Sequence, residues 1–438
     1  MNERIDFLKD ELFSMIDKMS ESLKEHVKNP DKDFTRDRKL PFADVVKLLI
    51  SMGGNSVYKE LLDFMGYDTT CVTTSAFVQQ RDKILPTAFE SLLREFTSTV
   101  IANNDVNFKG YRLLAADGCD LKIAQNPKDH ETYFQNRVGE KGFNLLHINA
   151  LYDLCNRIYV DILVQPRRLE NEPAALIDML RRMPHKDKTI FVGDRGYERY
   201  NVFAHIENSG YYYVFRIKDV GRGGILSGFS VPTDGEFDIF REGILTRKYT
   251  NEVKENNHLY KIVRSSGKFD FLDKESPFYS FSFRFVRIQL GDGSYETLVT
   301  NLPSDEFSAT ELKHIYNLRW GIETSFRKLK YTIGLANFHA KKREFVIQEI
   351  FARAIMYNFS EMTANHVIIS QADKKHTYQA NFTVVVLVCR QFLQNLYSMT
   401  SSDVCTLIQK NILPIRPNRS FKRKARAKPA VSFNYRVA

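Results

Sequence analysis

The pattern of apolar and polar positions divides the chain into regions of different period. Up to about residue 105 the apolar positions recur with helical spacing. Phe7, Leu8, Leu12, Phe13 and Ile16 form one stripe, and Val45, Val46, Leu48, Leu49 and Ile50 form another after the start signal Pro41. Met52-Gly53-Gly54-Asn55 stops the second helix, and residues 76–101 predict more helix interrupted at Pro86. Residues 1–105 are therefore expected to form a helical domain.

From Tyr111 the period shortens. Residues 113–116 are a short apolar run closed by Asp117-Gly118, so Asp117 is expected to end a strand. Residues 144–152 and 158–164 predict two strands joined by a tight turn at 153–156. Residues 174–183 predict a helix, 189–192 a buried strand ending in Gly193-Asp194-Arg195-Gly196, 200–207 a helix and 211–217 a strand. Three strands followed by alternating helix and strand predict a mixed α/β sheet over 106–345. Residues 218–300 are rich in Gly, Ser, Phe and Tyr and alternate, as in Tyr279-Ser280-Phe281-Ser282-Phe283-Arg284-Phe285. That predicts an antiparallel β insertion within the α/β domain. Residues 311–335 predict one long helix, 346–366 and 383–397 the helices of a C-terminal region (346–413), and 414–438 an extended basic tail.

Composition narrows the class. Of 438 residues, 43% are apolar and 26% charged, which fits a globular chain and not a disordered one. The apolar run 384–389 is far short of the ~20 residues a membrane helix needs. The N-terminus, MNERIDFLKDELF, has no apolar signal core, so a cytoplasmic location without a membrane partner is expected. Five cysteines with no CxxC pair argue against a disulfide framework and a structural zinc site; Cys155, Cys389 and Cys405 stand in apolar contexts that predict packing.

The net charge of +10 is uneven. Residues 411–438 carry eight bases and no acid, and residues 311–353 carry nine bases against four acids, so the remainder is slightly acidic. Two basic segments on an acidic body are the footprint of a polyanion partner; a solvated tail is the plainer reading of the tail alone.

Candidate chemistry rests on three acids. Asp117 and Asp194 each follow an expected strand, where ligands gather in open α/β sheets and where carboxylates can hold a hard cation such as Mg²⁺. Taken singly, an Asp beside a Gly is more often a turn residue. The third acid, Glu323, lies on the helix from Glu311. At 100° per residue Tyr316, Arg319, Glu323, Arg327 and Lys330 share an arc of about 80°, beside a buried stripe of Ile315, Leu318, Ile322, Phe326 and Leu329. A surface helix laced with Glu–Arg pairs would give the same periodicity. Trp320, the only tryptophan, borders the charged face and either packs or stacks on a base. Arg195 either reaches a nucleic acid or pairs with an acid.

These residues carry a resemblance. Tyr316-x2-Arg319-x3-Glu323-x6-Lys330, within YNLRWGIETSFRKLK, resembles the YREK signature of IS4-family insertion-sequence transposases. AADGCD around Asp117 and VGDRGYERYNVF around Asp194 resemble the family's two aspartate segments, with Cys119 where Ser or Thr is usual. RRLENEPAALIDML, FHAKKREFVIQEIFARAIMYN, RKLPFADVVKLLISM and SAFVQQRDKILPTAF are similar as well.

The resemblance implies a transposase of the DDE type (Asp, Asp, Glu) with an RNase H-like catalytic core. Asp117, Asp194 and Glu323 would be catalytic and hold two Mg²⁺ (or Mn²⁺) ions. Tyr316, Arg319 and Lys330 would contact DNA near the cut; beside what the resemblance implies, Trp320, Arg195 and Arg327 are candidate contacts on the residues alone. The partners implied are transposon-end inverted repeats and target DNA, bound by a homodimer in a bacterial cytoplasm, at the nucleoid. A metal-dependent nuclease without strand transfer, or a non-catalytic DNA-binding derivative, is the alternative.

Overall fold

The computed structural model describes residues 2–103, 106–135, 137, 139–183, 188–264, 267–371, 376–395 and 398–415. The expected basic tail lies almost wholly outside these residues.

Five helices come first: α1 (Asn2–Glu21), α2 (Phe42–Ser51), α3 (Val57–Phe64), α4 (Thr74–Asp82) and α5 (Pro86–Ala102). Pro86 takes the first turn of α5, where its missing N–H costs nothing. The sheet follows: β1 (Arg112–Ile123), β2 (Tyr133–Phe134), β3 (Phe143–Asp153), β4 (Ile158–Pro166), then helix α6 (Glu172–Arg181), β5 (Thr189–Gly193), helix α7 (Tyr200–Asn208) and β6 (Tyr212–Ile217). β1 pairs antiparallel with β3 and parallel with β5, β5 pairs parallel with β6, and β4 lies antiparallel outside β3.

The region expected to be a β insertion holds β7 (Phe237–Thr246), a short helix α8 (Asn251–Glu255), β8 (Tyr260–Ile262), β9 (Phe278–Gln289) and β10 (Tyr295–Thr300). It is not a separate sheet. β10 pairs antiparallel with β6, then with β9, and β9 with β7, so the central sheet reaches ten strands. β8 joins β7 in parallel, a departure from the antiparallel pattern.

The expected long helix over 311–335 is divided. α9 (Ala309–Leu318) opens with a capping box between Ser308 and Glu311, and α10 (Trp320–Lys328) follows after a break at Arg319. A π turn, Leu329–Ile333, ends at Gly334 with φ 108°. The C-terminal elements are α11 (Arg343–His366), β11 (Tyr378–Ala380), α12 (Phe382–Leu393), α13 (Ser401–Lys410) and β12 (Ile412–Pro414).

Three apolar clusters place these layers. One face of β1, β3 and β4 packs, through Ala115, Ile148 and Tyr159 among others, with α1, α2, α5, α10, α11 and α12. On the opposite face, Leu114 and Ala116 pack with Leu176 and Leu180 of α6 and with α7. α9 covers the sheet where β5, β6 and β10 meet. The N-terminal helices and the C-terminal helices thus share one core, centred on α11, whose residues from Gln348 to Thr363 are all buried.

Candidate active site

Asp117 does not close its strand. β1 runs on to Ile123 because β3 continues to pair with it, Asp117 opposite Ala150 and Ile123 opposite Asn144. The parallel neighbour stops earlier. Ala115 pairs with Val192, and β5 ends at Gly193, so Asp117 and Asp194 stand at matching levels where the parallel ladder ends. Asp194 caps the following turn, its Oδ1 accepting from Gly196 N at 2.7 Å.

α10 brings the third acid. It is fixed from below: Tyr159 Oη lies 2.8 Å from Ser325 Oγ, Phe326 is buried, and Lys328 pairs with the buried Glu361 of α11. That sets Glu323 towards β1. Arg319 joins the two sides, with Nη2 donating to Glu323 Oε1 at 2.9 Å and Nη1 lying 3.7 Å from Asp117 Oδ2. Arg319 is only 6% exposed; its guanidinium sits 5.5 Å from the ring centroids of both Tyr316 and Trp320, and its Nε is buried without a hydrogen bond.

The site's electrostatics follow. Burial pushes the Asp117 carboxyl up to about 6; the Gly118 amide and Arg319 oppose this, while Asp194 and Glu172 add to it. The carboxylates of Asp194 and Glu172 thus lie near enough to Asp117 to act on it, alongside the Arg319 guanidinium that also holds Glu323. The donor set is all carboxylate oxygen, which fits a hard divalent cation such as Mg²⁺ or Mn²⁺.

The remaining expected residues divide. Tyr316 is 3% exposed and packs under Arg319, so its ring faces protein. Trp320 is 57% exposed, so it does not pack into the core. Arg195 and Arg327 are exposed. Lys330 lies within the π turn and its Nζ donates to the Asp120 carbonyl at 2.9 Å, so the widened turn aims it at the edge of the site.

Sequence reasoning missed a neighbouring group. Among the described residues, the His, Cys, Asp and Glu side chains whose ligand atoms all lie within 4.8 Å of one another are Asp120, His147 and Glu170, not the three expected acids. His147 stands opposite Asp120 in the β1–β3 register, with Nδ1 2.7 Å from Asp120 Oδ1 and 3.1 Å from Glu170 Oε2. Arg167 already pairs with both acids. Burial opposes charge on the imidazole, but Asp120, Glu172 and Glu170 outweigh it and hold His147 up at about 9. The only sequence signal was the acid-rich helix start LENEP, with Asn171 as cap and Pro173 in the first turn.

Asp117 and Asp194 thus stand where the parallel β1–β5 ladder ends, faced by a helix that carries a glutamate and cations. The chain belongs to the transposase DDE domain family, whose pattern matches residues 108–359. A 58-residue stretch is 41% identical to the putative transposase InsL for insertion sequence element IS186A of Escherichia coli (strain K12), and likewise to the transposase for insertion sequence element IS421 of Escherichia coli. That stretch is 13% of this chain and 16% of each relative. Among solved structures, a cryo-EM structure of piggyBac transposase in a synaptic complex with hairpin DNA aligns over 95% of this chain and 87% of its own, at 10% identity and TM-score 0.44. No helix among the described residues is long and apolar enough to cross a membrane.

Proposed function

We propose that this protein is a DNA transposase of the IS4 type. It binds the terminal inverted repeats of its element as a homodimer, cleaves at their ends and joins the 3′ ends to target DNA. The observation that carries this reading is the convergence of Asp117 and Glu323 on Arg319, beside Asp194 at the neighbouring strand end. The strand order β4-β3-β1-β5-β6, three antiparallel strands followed by two parallel ones, supports an RNase H-like core.

Phosphodiester cleavage places negative charge on the attacking oxygen, the leaving oxygen and the phosphoryl group. Asp117, Asp194 and Glu323 would hold two Mg²⁺ or Mn²⁺ ions, which supply Lewis-acid activation when bound. Arg319 presents a fork suited to paired phosphate oxygens, and the Tyr316 ring beneath it fixes its plane. Lys330 reaches the backbone on the β1 side, Trp320 offers a stacking face, and Arg195 and Arg327 extend the positive surface.

The test is cleavage of a plasmid carrying the element's own ends. Mg²⁺-dependent breaks at the ends and joined products are expected, abolished in Asp194→Ala and Glu323→Gln. Breaks without joined products would favour a plain nuclease. Binding without cutting under Mg²⁺ or Mn²⁺ would favour a DNA-binding derivative. Cutting that survives both substitutions would refute the site.

A further inference from the structure

Two glycines beside the catalytic aspartates are not explained by backbone conformation, since neither has a positive φ. Gly118 follows Asp117, and a Cβ there would stand 2.3 Å from both Glu172 Oε1 and His147 Nε2. Gly196 lies two residues after Asp194, and a Cβ there would stand 3.0 Å from Asp194 Oδ1 and 3.4 Å from Glu172 Oε2. The side chain common to both spaces is Glu172, which reaches from the first turn of α6 across β1 towards the turn after β5, with His147 beside it at Gly118 and Asp194 at Gly196. Its Oε2 and an oxygen of Asp194 thus flank a single point in space.

A second feature converges there. His147 is 5% exposed, and its Nε2 is buried with no hydrogen bond of acceptable geometry, although Glu172 Oε1 is only 3.2 Å away. On the other side of the ring, Nδ1 is fixed by Asp120. The imidazole is therefore held by Asp120 at Nδ1, which leaves Nε2 beside the glutamate. Glu172 also borders an open cavity of about 740 Å³ that runs from α6 and Gly196 towards β8, so its carboxylate is reachable from solvent.

We propose that Glu172 is a fourth carboxylate of the active site, binding divalent cation together with Asp117, Asp194 and Glu323, and that His147 positions it. This rests on the reading of the site given above. A glutamate kept for helix capping would need neither glycine, because Asn171 already accepts the Ala174 amide at the start of α6.

The test measures Mn²⁺ binding to the full chain without DNA, by the electron paramagnetic resonance signal of free Mn²⁺ and by quenching of Trp320, the single tryptophan. Glu172→Gln is expected to weaken binding at least tenfold. Glu172→Asp, which keeps the charge but shortens the reach, is expected not to restore it. Gly118→Ala keeps every carboxylate but drives a Cβ into Glu172 and His147, and should reproduce the loss. Asp178→Asn, an exposed acid on the same helix, should stay within twofold of wild type. Far-UV circular dichroism confirms that each variant is folded. If Asp194→Asn weakens binding while Glu172→Gln does not, the inference falls and the site stands. Recovery in Glu172→Asp, or equal loss in Asp178→Asn, would reduce Glu172 to general charge and overturn the proposal. If neither Asp194→Asn nor Glu323→Gln changes binding, the reading of the site fails, and this inference with it.

Discussion

At the residue scale, the Asp117 carboxyl carries a cost that its position imposes. Its pKa is raised to about 6 against an ordinary 3.8, so the folded state holds the proton more tightly than the unfolded state. Stability from this group is fully present below about 3.8 and is lost as pH rises through about 6. Asp117→Asn should therefore raise the unfolding free energy at pH 8, by an amount on the order of 2–3 kcal/mol, and the gain should vanish near pH 4. A variant no more stable than wild type at pH 8 would refute the desolvated carboxylate. The two aspartates and Glu323 were legible because each stands at a pattern boundary or within a fixed spacing. Glu172 and His147 were not, because what joins them is the register of β1 against β3 and two absent side chains, neither of which leaves a periodic trace.

At the element scale, the segment 309–333 shows what helical periodicity conveys and what it hides. Ile315, Ile322, Phe326 and Leu329 are buried as the wheel predicts. The same wheel set Tyr316 among the polar residues, yet it is buried. It also placed Lys330 by α-helical phase, whereas Lys330 lies in a π turn. No sequence period encodes that turn; its widened bonds are sustained by tertiary packing and by the exit at Gly334. With φ at 108°, that glycine occupies backbone space that a Cβ disfavours. Gly334→Ala is expected to cost about 1–2 kcal/mol, read as a lower urea midpoint with an unchanged slope. An unchanged midpoint would mean the turn tolerates ordinary geometry. In the same way, the alternation over 279–285 predicted β9, but nothing local announced that β10 would pair with β6.

At the scale of the whole molecule, a buried polar network ties the chain's two ends. Arg81 of α4 lies 3.1 Å from Glu349 Oε1, Arg353 lies 3.1 Å from Glu349 Oε2, and the His339 amide donates to the same carboxylate at 3.0 Å. Burial alone would raise the Glu349 pKa, but Arg81, His339 and Arg353 hold it far below the usual carboxylate range. Its contribution is present above about 4.5 and is lost as pH falls. Glu349→Gln should destabilise by about 3–5 kcal/mol at pH 7, measured by denaturant unfolding, since it leaves two buried guanidinium groups facing an amide. A loss below 1 kcal/mol would show that Gln348 and the neighbouring carbonyls satisfy them. The shared core makes a further claim. A chain lacking residues 1–105 should not fold as a soluble catalytic unit, because it would expose the face of α11 that α2 and α5 cover. A soluble, cooperatively melting 106–438 fragment would refute this.

The same core sets a schedule for synthesis. The end of α5 and the start of α11 are separated by roughly 240 residues, which a ribosome making 5–20 residues per second needs about 12–50 s to add. Throughout that interval the helices made first have one another and β4 to pack on, but lack the α11 face that completes the core around Leu48, Leu49, Phe89 and Leu92. The core is thus completed only when the last quarter of the chain emerges, and the yield of protein is expected to depend on how fast that quarter arrives.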